Sequence, residues 1–128
     1  MECAAGIRKK LEVFGDDYST IDGTGVRDYI HVSDLARGHL DSIDYLFNIN
    51  ENLIINLGTG IGFSVLEVIN ATEKISNKNI DYSFSSRREG DPDTVIASAK
   101  KAEKLINWLP KKSDLENIIS STWEIYNK

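Results

Sequence analysis

Short extended runs alternating with capped amphipathic segments predict a mixed α/β fold with about four helices. Three observations carry that expectation. Leu53-Ile54-Ile55-Asn56-Leu57 is an apolar run of strand length, the pattern of a strand covered on both faces in a parallel sheet. Ser64-Val65-Leu66-Glu67 and Ser113-Asp114-Leu115-Glu116 have the spacing at which a serine and a glutamate satisfy each other's free amides at a helix start. Glycines at 58, 60 and 62 turn the chain between that strand and the next helix.

Taken in order, Met1 to Lys10 reads as a short polar lead-in, the frayed end of a helix interrupted at Gly6. Leu11-Glu12-Val13-Phe14 alternates apolar and charged residues, a strand with one buried face, and Gly15-Asp16-Asp17 stops it. Tyr18 to Gly25 is rich in Asp, Thr and Gly, which favour turns. Tyr29 to Val32 resumes an extended run. Ser33 or Asp34 caps a helix to about Phe47, with Leu35, Leu40, Ile43, Leu46 and Phe47 as its apolar stripe. After the 53–57 strand, a helix runs from the Ser64 box to about Ser76, stopped by Asn77-Lys78-Asn79. Ile80 to Phe84 alternates as a strand, the loop from Ser85 to Asp93 is charged and broken by Gly90 and Pro92, and Val95-Ile96-Ala97 is one more short strand. Ser98 caps a helix ending near Asn107, because Pro110 cannot continue it. The Ser113 box opens the last helix, with Ile118, Ile119, Thr122, Ile125 and Tyr126 at helical spacing.

At 128 residues and 41% hydrophobic content, residues 1–128 make one domain with enough apolar material for a core. A net charge of -5 argues against nucleic acid or an anionic membrane as partner, since both select a basic face. Any phosphate site must therefore be local. The single cysteine, Cys3, cannot form an internal disulfide, and no signal-peptide pattern or long apolar run occurs, so a reducing, cytoplasmic setting is expected.

Two stretches carry chemistry. In Gly23-Thr24-Gly25-Val26-Arg27-Asp28 the glycines let the loop fold tightly, and a guanidinium beside loop amides can meet a phosphate through two parallel hydrogen bonds. A surface ion pair between Arg27 and Asp28 is the other reading. In Arg87-Arg88-Glu89-Gly90-Asp91-Pro92, Arg88 can join Arg27 to clamp a diphosphate. Asp91 can accept from two ribose hydroxyls or simply form a turn. Gly58-Thr59-Gly60-Ile61-Gly62 mimics a dinucleotide-binding loop, but that fingerprint wants its third glycine at Phe63 and an acidic residue where Ser85 and Ser86 stand. It reads as a structural turn. His31 is expected as a packed or hydrogen-bonded strand residue and His39 on a helix surface. Metal-ligand, Walker A and cysteine-cluster motifs are absent from the sequence.

The run from Gly23 to Ala36, G-T-G-V-R-D-Y-I-H-V-x-D-L-A, resembles the signature in the C-terminal half of UDP-glucose 4-epimerases, which are extended short-chain dehydrogenase/reductase proteins; the R-R-E-G-D-P loop is similar to theirs too. The resemblance extends from about Gly6 to the final helix. It implies the nucleotide-sugar-binding C-terminal portion of that fold, with the Rossmann N-terminal half absent. It further implies that the backbone of Glu12 and Phe14 recognises uracil, that Arg27 and Arg88 bind the diphosphate, that Asp91 binds the ribose, and that Val95 lies beside the hexose. The expected partners are UDP-glucose and UDP-galactose and the missing N-terminal half.

In that family tightly held NAD oxidises the sugar C4 hydroxyl, the keto sugar rotates, and hydride returns to the other face. NAD is thus the cofactor of the whole family enzyme, and none is expected for this chain alone. The chemistry needs a Tyr-x-x-x-Lys pair. The residues four beyond Tyr18, Tyr29, Tyr45 and Tyr82 are Asp22, Ser33, Ile49 and Ser86, so the pair is missing, no catalytic residue is assigned, and the chain is expected to be inactive alone. Because the family's counterpart of Leu53–Leu57 joins the sheet of the other half, an apolar edge open to self-association is also expected. A stand-alone nucleotide-sugar-binding module, or a portion of a nucleotide-sugar dehydratase or decarboxylase, are the alternatives.

Overall fold

The computed structural model describes residues 1–127 and confirms a mixed α/β architecture with four helices and short strands. In chain order the elements are β1 (Leu11–Phe14), β2 (Val26–Asp28), α1 (Val32–Ile49), β3 (Gly62–Ser64), α2 (Val65–Ser76), β4 (Tyr82–Ser85), β5 (Thr94–Val95), α3 (Lys100–Ile106) and α4 (Leu115–Tyr126). They form two small sheets. β1 and β4 pair in parallel with Leu11 opposite Tyr82 and Phe14 opposite Ser85. β2 lies between β3, antiparallel, and β5, parallel.

Packing follows from the alternation in β1. Val13 faces inward and joins Ala4, Ile69 of α2 and Ile80 in the buried core, against which Cys3, Leu11, Val65, Leu66 and Trp123 of α4 pack. The segment before β1 is therefore not a frayed lead-in: Ala4 is buried, and turns such as Ala5 N–H to the Met1 carbonyl (2.9 Å) seat it on the core. A second buried centre is Trp108, fully enclosed, whose indole N–H donates to the Asp34 carbonyl at 2.9 Å. Gly38 makes this possible, because a Cβ there would come within 2.6 Å of Leu57 Cδ1 and 3.0 Å of Trp108 Nε1.

Several expectations are corrected, each because a longer-range partner overrides the local pattern. The extended run at 29–32 is not a strand. The ladder uses Val26 and Arg27, which have partners on both sides, and α1 begins at Val32. Its cap is His31 rather than Ser33 or Asp34: His31 Nδ1 accepts from the Ser33 amide at 3.0 Å, while Nε2 meets Ser121 Oγ at 3.0 Å. Asp34 is instead buried and gathers the amides of Lys111 (2.9 Å) and Lys112 (2.7 Å) and the Ser113 hydroxyl (2.7 Å). Ser113 is thereby taken from its box, and Asp114 caps α4 by accepting from the Asn117 amide at 2.8 Å.

The box at Ser64 and Glu67 forms as expected, and Asn77 closes α2 in the left-handed region. Ser98 does not cap α3, whose N-cap is Ala99. The strand expected at Ile80–Phe84 is displaced to Tyr82–Ser85, because Ile80 enters the core and its amide goes to Glu73 Oε1 at 2.7 Å. The last strand is Thr94–Val95, since the Ala97 amide turns to Asp28.

Leu53–Leu57 is not a strand paired on both sides. It joins neither sheet, and Ile54 is 82% exposed. The α1 stripe is equally unburied: Leu40, Ile43, Leu46 and Phe47 all face solvent, as does Ile125 of α4. These segments have the apolar pattern of core elements and lack a covering layer among the described residues.

Candidate functional site

The loop between β1 and β2 is built before anything binds to it. Gly23 has φ of +79°, which lets its carbonyl accept the Tyr18 amide at 2.9 Å. Asp22 accepts from the Thr24 amide (2.9 Å) and hydroxyl (2.7 Å), and its other oxygen takes the Ser64 hydroxyl. Burial pushes the Asp22 carboxyl up, but the hydrogen bonds from Ser64 and Thr24 outweigh it and hold the group below the usual carboxylate range. The loop is thereby locked at the entrance to β2, where the Val26 amide donates to the Asp93 carbonyl at 2.8 Å.

Arg27 leaves β2 on this base. Its Nη2 donates to Asp91 Oδ1 at 2.5 Å and its Nη1 to the Val26 carbonyl at 2.8 Å. The Tyr18 hydroxyl approaches the other oxygen, Asp91 Oδ2, at 3.4 Å. Burial and the neighbouring Asp91 carboxylate push the Tyr18 phenol up, so it stays a donor. The Arg27–Asp28 ion pair, the alternative reading of this stretch, is not among the ion pairs of the described residues; Asp28 is engaged elsewhere. Val95 lies opposite Arg27 across the β2–β5 ladder and is half exposed.

Arg88 occupies a second position, its guanidinium carbon 4.1 Å from the centre of the Phe14 ring, a geometry that favours a cation over a π face. Glu12, on the same side of β1 as Phe14 by strand alternation, accepts the Ser85 hydroxyl. The six sequence-predicted residues thus fall into two groups, with Arg27, Asp91 and Val95 in one and Arg88, Phe14 and Glu12 in the other. Arg27 and Arg88 are not joined to a common partner.

What links the groups was missed by the sequence reasoning. Arg87 stacks at 4.2 Å over the Tyr18 ring, donates to Asp17 Oδ1 at 2.6 Å and reaches Asp93 Oδ1 at 3.5 Å. The hydrogen bond from Arg87 holds the Asp17 carboxyl below its ordinary value. Asp93 Oδ2 also accepts the Ser19 amide at 3.0 Å. These contacts tie the 15–24 loop to the 86–93 loop. The signal in the sequence was Tyr18, an aromatic in a loop made mostly of polar turn formers.

Asp28 was also missed. Its carboxylate accepts from the Thr59 amide (3.0 Å to each oxygen), the Thr59 hydroxyl (2.6 Å), the Gly60 amide (3.0 Å) and the Ala97 amide (3.2 Å). Burial pushes this carboxyl up, yet the bonds from Thr59, Gly60 and Ala97 prevail and hold it below 3.8. Two amides of the Gly58–Gly62 loop, those of Thr59 and Gly60, are therefore occupied by the Asp28 side chain, and that of Ile61 by the Thr59 hydroxyl. This loop does not fit NAD, and among the described residues no group of three or more potential metal ligands occurs. No helix of the described residues is long and apolar enough to cross a membrane.

The chain matches the family model described as GDP-mannose 4,6 dehydratase over residues 1–122. It is 46% identical to the UDP-glucose 4-epimerase of Streptococcus mutans, over 96% of this chain and 37% of that protein, and 46% identical to that of Bacillus subtilis, over 95% and 36%. Among solved structures it superposes on the Stenotrophomonas maltophila UDP-glucose 4-epimerase with bound NAD and formylated UDP-arabinopyranose. There the TM-score is 0.93 and the identity 40%, over 98% of this chain and 37% of that one. The Bifidobacterium longum epimerase in complex with NAD+ and UDP gives a TM-score of 0.87 and 44% identity, over 98% and 38%. The chain spans little more than a third of the length of the relatives it matches.

Proposed function

The chain belongs to the GDP-mannose 4,6 dehydratase family, and on that premise we propose that it is the UDP-sugar-binding C-terminal portion of a UDP-glucose 4-epimerase. In this reading the whole enzyme interconverts UDP-glucose and UDP-galactose in galactose metabolism in the cytoplasm, and residues 1–128 act as its single substrate-binding domain. The observation that carries it is the 46% identity to an epimerase over nearly the whole chain, coinciding with Arg27 of β2 paired to Asp91 and Arg88 seated on Phe14 of β1.

The residues divide the ligand among themselves. The β1 backbone at Glu12 and Phe14 takes the uracil, Arg27 and Arg88 take the diphosphate through charge-assisted hydrogen bonds, Asp91 accepts from the ribose, and Val95 borders the hexose. NAD belongs to the other portion of the enzyme, because the one glycine loop here of roughly suitable type has its amides bound to Asp28. Alone, the chain neither epimerises nor retains NAD. The exposed apolar stripe of α1 together with Ile54 receives that other portion, and in its absence supports self-association.

A second reading, a portion of a nucleotide-sugar dehydratase, draws on the description of the matching family model. The experiment that tests the proposal is coexpression of this chain with the catalytic N-terminal half of a related epimerase. Restored conversion of UDP-galactose to UDP-glucose supports the proposal. UDP binding by the lone chain without restored turnover favours a binding module, and absence of both removes the reading.

A further inference from the structure

We propose that Asp91 makes this site selective for nucleoside diphosphates over free diphosphate, by holding Arg27 in an internal ion pair that only a ligand with both phosphates and ribose hydroxyls replaces in full. The inference rests on the nucleotide-sugar reading above and adds a selection rule to it.

The two arginines differ in availability. Arg88 takes part in no ion pair among the described residues and lies on the Phe14 ring, so its charge is open to an incoming anion. Arg27 is committed to three acceptors, through Nη2 to Asp91 at 2.5 Å and through Nη1 to the main-chain carbonyls of Val26 at 2.8 Å and Asp93 at 3.4 Å. The side chains of Arg27 and Asp91 are 27% and 33% exposed. Water reaches the pair, so it is exchangeable rather than sealed, and its strength is that of a partly exposed pair.

An anion that takes Arg27 must displace the Asp91 carboxylate. That carboxylate then stands beside a multiply charged ligand, having lost its strongest donor and kept only the Tyr18 hydroxyl at 3.4 Å. A free diphosphate brings no vicinal hydroxyls to replace the lost donor, and the like charges repel. A nucleoside diphosphate hands its phosphates to Arg27 and Arg88 and its ribose hydroxyls to Asp91, so both halves of the broken pair are satisfied. Selectivity comes from a penalty built against the simpler anion as much as from contacts to the preferred one.

Calorimetric titration of the chain with inorganic diphosphate and with UDP tests this, using wild type, Asp91→Asn and Asp93→Asn. Asp91→Asn removes the charge that holds Arg27, leaving at most a neutral hydrogen bond, and diphosphate affinity should rise about fivefold, the upper range for a partly exposed pair. UDP affinity should not rise in parallel, because the ribose exchanges a charged two-oxygen acceptor for a single amide carbonyl. Asp93→Asn removes an equal charge nearby from a carboxylate whose partners are Ser19 and Arg87 rather than the Arg27 side chain, and should shift diphosphate binding by less than about twofold. Asp91→Ser, checked by circular dichroism, replaces Asp91→Asn if the latter misfolds. Equal gains in the Asp91 and Asp93 variants would overturn the proposal, since net charge would then explain the effect. UDP binding by wild type with unchanged diphosphate affinity in Asp91→Asn also overturns it, while leaving the nucleotide site standing. Loss of all binding in every protein defeats both.

Discussion

Removing the Asp28 carboxylate should loosen the Gly58–Gly62 loop and the turn at Ala97 from β2, leaving the β3–β2–β5 ladders as the remaining connection. Asp28→Ala deprives the Thr59, Gly60 and Ala97 amides and the Thr59 hydroxyl of their acceptor. The Thr59 hydroxyl retains the Ile61 carbonyl at 3.0 Å, and Gly60 is exposed, so its amide is rehydrated. Two amides, Thr59 and Ala97, bear most of the loss at about 1.5 kcal/mol each, the low end for hydrogen bonds to a charged group. The expected destabilisation is about 3 kcal/mol, or roughly 10 °C in melting temperature for a chain of this size. Asp28→Asn should cost about half as much, because its carbonyl still accepts on one side.

Urea denaturation followed by fluorescence of Trp108, buried in the native fold, reads the change. The pH dependence carries the sign. The folded carboxyl sits below its ordinary 3.8, so its contribution is present above that value and is lost as pH falls through the lower folded value. The gap between wild type and Asp28→Asn should therefore narrow on acidification from about pH 7 to about pH 2.5. A variant within about 0.5 kcal/mol of wild type, or a gap unchanged by acid, would refute this account of how the Gly58–Gly62 loop is held.

In the reassembled enzyme, Arg27→Ala and Arg88→Ala should each weaken UDP binding by roughly 1.5–3 kcal/mol, with Asp91→Ala weakening it less; calorimetry showing unchanged affinity in both arginine variants would remove the diphosphate clamp. Gly38→Ala places a methyl against Leu57 Cδ1 and the Trp108 indole, and should destabilise the chain by about 1–3 kcal/mol as overpacking does; a midpoint equal to wild type in the same urea assay contradicts it. Valine at position 95 leaves more room than an aromatic beside the hexose, so glucose and galactose should be the main pair, with some tolerance of N-acetylated sugars. Val95→Tyr should lower turnover of UDP-N-acetylgalactosamine relative to UDP-galactose by about tenfold, and an unchanged ratio would remove Val95 from specificity.

The sequence by itself determined the elements whose signals are local. Ser64 and Glu67 are three residues apart and satisfy each other without help from elsewhere, so the box forms and α2 begins where the spacing says. Val13 alternates with Glu12 and Phe14, so β1 buries one face. The G-T-G-V-R and R-R-E-G-D-P stretches were legible as residues suited to an anion because glycine, arginine and aspartate differ so strongly in what they can do. Tertiary structure decided every competition between partners distant in sequence. Ser113 could cap its own helix or bind Asp34, 79 residues away, and the buried carboxylate took it, since a hydrogen bond to a buried charge is worth more than the cap, which Asp114 supplies instead. The same holds for Asp28, which reads locally as a partner for Arg27 but finds a row of loop amides instead. Arg27 then turns to Asp91, a pairing across 64 residues. The apolar pattern of Leu53–Leu57 and α1 reads as a demand for burial, but a pattern specifies only that a face must be covered. Whether it is covered depends on which surfaces the rest of the fold brings to it, and among the described residues none is brought to Ile54 or Phe47.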